Sequence, residues 1–152
     1  MRASVLVVAF VLALVAGSAS AGTRSSACTA GLHTVGGAKE RTFCGPAHAT
    51  AHAAGRTFAF SGGECAVSQG FFAVNIGSIT LPPAQPKSTY LGIDVKPASA
   101  GSHANQIVSW QVPGKGYTIL GATVVVSSGL KGGTFSGRLS AGGTASGSFN
   151  CS

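Results

Sequence analysis

Apolar and polar residues alternate in short segments along most of the chain after residue 42. Phe58 and Phe60 share one side of an extended segment, and Val74 and Ile76 share one side of another, as the two-residue period of a strand requires. Clusters of Gly and Pro separate the segments at short intervals. The pattern predicts an all-β fold of about eight strands, a single small antiparallel β-sandwich or barrel-like domain stapled by disulfides.

The strand candidates share this alternation and are residues 47–53, 56–60, 71–76, 90–95, 105–112, 117–126, 134–139 and 144–151. Residues 47–53 also fit one or two helical turns, and we favour the strand. Gly121 predicts a bulge or bend in its strand, and the run 124–126 is all Val, which predicts burial on both faces. Residues 77–88 hold three prolines and are expected to form a loop or a sheet edge.

The chain divides into a leader, an arm and a β-domain. Residues 5–16 are an apolar run of 12, and Ala19-Ser20-Ala21 supplies a small-x-small cleavage pattern. We therefore predict a signal peptide over residues 1–21, a Gly/Ser-rich, loosely ordered arm over 22–45, and a β-sandwich domain over 46–152. The alternatives are an uncleaved anchor, for which the run is short, and an acylated Cys28, which lies too far from the run.

Four cysteines, Cys28, Cys44, Cys65 and Cys151, follow the predicted leader. An even number in an exported chain predicts two disulfides, and four cysteines allow three connectivities. We favour the local pair Cys28–Cys44 and the pair Cys65–Cys151, which would tie the last strand to an early one. A thiolate metal site is the alternative, but the chain has no C-x-x-C pair.

The chain is basic, and its cations are scattered. Of 10 Lys and Arg residues, 9 remain after the predicted leader against 3 acidic ones, a net charge of 9 − 3 = +6. Scattered charge without interleaved aromatics does not predict sequence-specific nucleic-acid binding. It favours solubility and weak, salt-sensitive adhesion to an anionic cell-wall or lipid surface.

Five short motifs occur along the chain in this order: Gly55-Arg56, Gly63-Glu64-Cys65, residues 72–77 (FAVNIG), residues 117–122 (YTILGA) and residues 149–152 (FNCS). Together they resemble the mycobacterial lipoprotein antigen family, small cell-envelope proteins of actinobacteria, over roughly residues 49–152. The resemblance implies a β-rich envelope domain closed by a Cys65–Cys151 bond. This chain lacks that family's acylated cysteine and adds Cys28 and Cys44.

Few residues in this composition can carry catalysis. The only acidic residues are Glu40, Glu64 and Asp94, and no G-x-S-x-G elbow accompanies the serines. His48 and His52 share a face in either reading of their segment, but no third ligand follows nearby in sequence. We predict no catalytic residue, no metal and no cofactor.

The function that these observations favour is a non-catalytic, secreted or envelope-associated β-domain that binds or structures something outside the cell. The alternative is a carrier of an apolar ligand such as a lipid, in a cavity lined by five aromatic residues: Phe58, Phe60, Phe72, Trp110 and Phe149. An enzyme is the third and least supported reading.

Overall fold

The structure, a computed structural model, describes residues 27–152. Its strands are β1 (Gly31–Val35), β2 (Ala38–Thr42), β3 (His48–Ala53), β4 (Arg56–Ser61), β5 (Gly63–Ser68), β6 (Phe71–Thr80), β7 (Tyr90–Val95), β8 (Gly101–Val112), β9 (Lys115–Val126), β10 (Gly132–Arg138) and β11 (Thr144–Asn150). A single 3₁₀ turn, Ser128–Leu130, is the only helical element within residues 27–152. The all-β prediction is confirmed.

The predicted signal peptide lies outside the described residues. Between residues 27 and 152, no helix has the length and apolarity needed to cross a lipid bilayer.

All eleven strands belong to one antiparallel sheet. Its order is β1-β2-β6-β7-β8-β9-β10-β11-β3-β4, with β5 as a second partner of β6. Neighbours from β6 to β11 are consecutive in the chain, so the sheet is mostly a meander. The exceptions are the β2–β6 pair and the β11–β3 pair, and the second brings the last strand against an early one.

The strand β6 serves two parts of the sheet because it bends at Gly77. Residues up to Gly77 pair with β7, whereas Ser78–Thr80 pair with β2. Gly77 has φ +89°, and a Cβ there would overlap the Thr89 carbonyl oxygen. Only glycine fits this bend without strain.

The sheet curls back on itself where β3 begins. Pro46 and Gly63 form a parallel bridge, in which the Ala47 N–H donates to the Gly63 carbonyl at 3.1 Å. The Cys65–Cys151 disulfide lies next to this bridge and joins β5 to the residue after β11. The barrel-like form of the predicted fold results from this closure.

One continuous core fills the inside of the curled sheet. Trp110 stacks on Tyr117 with ring centroids 4.9 Å apart, and Phe58 lies 5.2 Å from Tyr117. The ring centroids of Phe72 and Phe149 are 6.2 Å apart in another part of the same cluster. The alternation predicted for these strands is confirmed, since the inward positions are buried and the outward ones are exposed or half-buried.

Three local predictions need correction. Val125 is 44% exposed whereas Val124 and Val126 are buried, because the outer face of the sheet is uncovered there. The strand β6 runs on to Thr80, and the loop with the prolines begins after it. Within the predicted loose arm, β1 and β2 form a hairpin paired with β6, since Ala38 and Glu40 alternate inward with the exposed Lys39.

The bulge predicted at Gly121 is confirmed. Gln106 and Ile107 pair with Ala122 and Leu120, which leaves Gly121 as the extra residue of β9. Its φ of +78° is typical of a glycine in a bulge.

Candidate binding face

The strongest candidate for a functional surface lies on the outer side of β9, β10, β11, β3 and β4. Most of its outward side chains are hydroxyls or imidazole, and we call it the hydroxyl face. It consists of Thr50, His52, Thr57, Thr123, Thr134, Ser136, Ser146 and Ser148. Thr50 is half-buried, and the other seven are exposed.

Strand register sets these side chains in rows. One row crosses five strands in the order Thr123, Ser136, Ser146, His52 and Thr57. A second row has Thr134, Ser148 and Thr50 in register, with Val125 at its end. Neighbouring strands are about 4.8 Å apart and alternate residues on a strand about 6.8 Å apart. The face is therefore a regular lattice of polar groups.

Two hairpin turns make one part of this face concave. Ala54 and Gly55 turn β3 into β4, and residues 139–143 turn β10 into β11. Between them lies a groove of about 890 Å³, floored by Ser136, Ser146 and His52. An adjoining depression of about 420 Å³ shares these three residues and continues across β9.

Most hydroxyls of the face are free to bind. His52 Nδ1 and Thr57 Oγ1 share a hydrogen bond of 3.0 Å. Within residues 27–152, the side-chain oxygens of Ser136, Ser146 and Ser148 form no hydrogen bond with another protein group. A hydroxyl both donates and accepts, so each can pair with either kind of group on a ligand.

The cations of the groove come from its two walls. Arg138 ends β10, is exposed, and has neither an ion pair nor an aromatic contact among the described residues. Arg56 begins β4, and its guanidinium carbon lies 5.4 Å from the centre of the Phe58 ring.

The acidic residues lie on other strands. Glu40 on β2 is buried and accepts a hydrogen bond from Thr80 Oγ1 at 3.2 Å. Glu64 lies on β5 and Asp94 on β7, where partial burial raises the pKa of the Asp94 carboxyl. None of the five strands of the hydroxyl face carries a carboxylate.

The two histidines considered as metal ligands both lie on β3. His48 and His52 are exposed on the same side of the strand, as predicted. His48 Nδ1 lies 3.3 Å from the Pro46 carbonyl oxygen. Across residues 27–152, no group of three His, Cys, Asp or Glu side chains is placed to hold a metal ion.

All four cysteines form the disulfides that we favoured. Cys28 pairs with Cys44 with Cα atoms 5.9 Å apart, and Cys65 pairs with Cys151 at 5.6 Å. The described part of the chain contains no free thiol.

The sequence predicts which residues of the hydroxyl face point outward but not which strands lie side by side. Alternation alone places Ser146 and Ser148 outward on the last strand. Their neighbours on β3 and β10 follow from strand pairing, which a single sequence does not specify.

Comparison of the chain with protein-family models, characterised proteins and solved structures finds no match. The resemblance to the mycobacterial lipoprotein antigens stays a prediction.

Proposed function

We propose that this protein is an exported, non-catalytic β-domain that binds a partner on the outer side of the cell, at the envelope or beyond it, through the hydroxyl face. The observation that carries the proposal is the groove itself, whose floor presents unpaired hydroxyls in register across adjacent strands. Such a floor suits a polar ligand with many hydroxyl groups.

The disulfides support the exported location. Two bonds and no free thiol in the described chain are typical of proteins that fold in an oxidising compartment. The basic net charge supports association with an anionic surface. The resemblance stated above, which implies an envelope domain, agrees with both.

The placement of the acidic residues supports binding rather than catalysis. The His52–Thr57 pair has the contact that a base and a hydroxyl nucleophile would need. A triad also needs a third group to orient the imidazole. The described carboxylates lie on β2, β5 and β7, none of which pairs with β3.

The apolar-ligand carrier receives less support. The five aromatic residues assigned to its cavity all belong to the core, and the ring centroids of Phe58 and Trp110 are 6.3 Å apart. One observation favours it: the buried Trp110 indole N–H has no hydrogen-bond partner among the described residues. Native mass spectrometry of protein from its own host tests the carrier, because a co-purifying lipid would support it.

The proposed face is tested by cosedimentation of the purified protein with insoluble envelope from the cells that produce it. Ser146→Trp places a large ring in the groove and should abolish cosedimentation. Ser68→Trp makes the same change at an exposed serine of β5, outside the face, and should leave it intact. Equal binding by the two variants, both shown to be folded by thermal melting, would contradict the proposal.

A further inference from the structure

The charges around the hydroxyl face narrow the ligand class. We infer that the groove binds an acidic polysaccharide, whose hydroxyls pair with the lattice and whose carboxylate groups pair with Arg138. This inference rests on the proposed function, since it names the ligand of the same face.

The first argument is the match between the lattice and a sugar chain. A polysaccharide presents hydroxyls that both donate and accept along an extended backbone. Ser136 and Ser146 present groups of the same dual capacity at the spacing of neighbouring strands, and His52 in the same row adds its second ring nitrogen, Nε2. The groove between the two hairpins is open to solvent and large enough for several sugar units.

The second argument is the free guanidinium at one end of the lattice. Arg138 lies two residues from Ser136 on β10 and opposite Thr144 of β11. It has no acidic partner among the described residues, and its planar fork matches a carboxylate in bidentate geometry. A neutral sugar chain would leave this group with water only.

The third argument is the separation of charge within the protein. Glu40, Glu64 and Asp94 are on β2, β5 and β7, so no carboxylate of the described chain repels an anion at the groove. Both arginines of the lining, Arg56 and Arg138, lie on its walls. The polar side chains of the groove are thus hydroxyls, imidazole and cations, set among Ala, Gly and Leu residues and without a carboxylate.

The lining also argues against nucleic acid as the polymer. Single strands are held by stacking of bases on exposed aromatic rings. The tryptophan and both tyrosines of the chain are buried in the core or beside it, and none lines the groove.

The test uses two polymers with the same sugar backbone: polygalacturonate, and its fully methyl-esterified form, in which each carboxylate is a neutral methyl ester. Binding is measured by isothermal titration at physiological salt, where weak surface attraction is screened. We expect the methyl ester to bind about tenfold more weakly or worse, the loss expected for one charged hydrogen-bonded contact. We expect Arg138→Gln to weaken binding of the acid about tenfold and so to remove this preference.

Lys39→Gln is the matched control, because it removes the same charge from an exposed position of β2 outside the groove. It should keep the preference for the acid. Equal affinity for the two polymers, an equal effect of the two variants, or equally tight binding of duplex DNA would each overturn the inference. If neither polymer binds while Ser146→Trp still abolishes envelope binding, the ligand class is wrong and the proposed face stands. If Ser146→Trp and Ser68→Trp cosediment alike, both proposals fail.

Discussion

Phe135 of β10 lies opposite Gly147 of β11, and its ring fills the space that a side chain at position 147 would occupy. The relationship is reciprocal, since Phe149 of β11 lies opposite Gly133 of β10 and covers it in the same way. Two rings and two glycines therefore interlock beneath the hydroxyl face. The core under β10 and β11 depends on the absence of two side chains as much as on the presence of two others.

Gly147→Ala should destabilise the protein by about 1–3 kcal/mol, the usual cost of forcing an extra group into a packed core. The new Cβ would overlap the Thr50 carbonyl oxygen as well as the Phe135 ring, and the backbone of a paired strand cannot yield cheaply. Urea unfolding measures the loss.

Gly116→Ala on β9 is the matched control for this substitution. No atom lies within 4 Å of a Cβ at Gly116, and its backbone is not left-handed. We expect a change within about 0.5 kcal/mol, or a slight gain from the stiffer unfolded chain. Equal losses of stability in the two variants would mean that the close packing of Phe135 on Gly147 does not cause the loss in Gly147→Ala.

The Cys65–Cys151 bond should contribute more stability than the Cys28–Cys44 bond. It closes a ring with a sequence separation of 86 against 16, which corresponds to more than about 4 kcal/mol against about 3 in the chain-entropy treatment. It also joins β5 to the end of β11 at the closure of the sheet. Replacing both Cys65 and Cys151 with Ser should therefore lower the urea midpoint further than replacing Cys28 and Cys44. The opposite order would show that the hairpin bond, not the closure, limits unfolding.

Tyr90 should make the protein less stable at high pH. Burial, aided by the Asp94 carboxylate and opposed by Arg41, raises the pKa of Tyr90 to about 12. In the unfolded chain the phenol ionises near pH 10. The folded protein holds the Tyr90 proton up to a higher pH than the unfolded chain does. The stabilisation of the folded state from this difference is complete below about pH 10 and is lost as the pH rises through about 12. It amounts to about 2–3 kcal/mol.

Phenolate absorbance during an alkaline titration checks this, with unfolding followed by circular dichroism. The Tyr90 hydroxyl donates to Asn75 Oδ1 at 2.6 Å, and Tyr90→Phe removes both the late ionisation and its share of the pH dependence. Ionisation of Tyr90 near pH 10 in a protein that is still folded would contradict the prediction.

The alternation of residues predicted the strands and their faces well, because most strands have one buried and one more exposed side. The exception is β7, which is buried at five of its six positions. The alternation failed at Val125, where three β-branched residues in a row suggested burial on both sides although the outer face is open. It also missed the β1–β2 hairpin, because each of its strands has only five residues and β1 has no fully buried side chain. The hydroxyl face was out of reach for another reason: it depends on the pairing of Ala49 with Phe149, which the sequence separates by 149 − 49 = 100 residues.

That pairing has an immunological consequence. The hydroxyl face combines residues 50–57 with residues 123–148, and only the completed β11–β3 contact sets them side by side. An antibody that recognises this surface would bind a discontinuous epitope. Overlapping linear peptides from the chain would not carry it, and reduction with unfolding would erase it while leaving every covalent peptide bond intact.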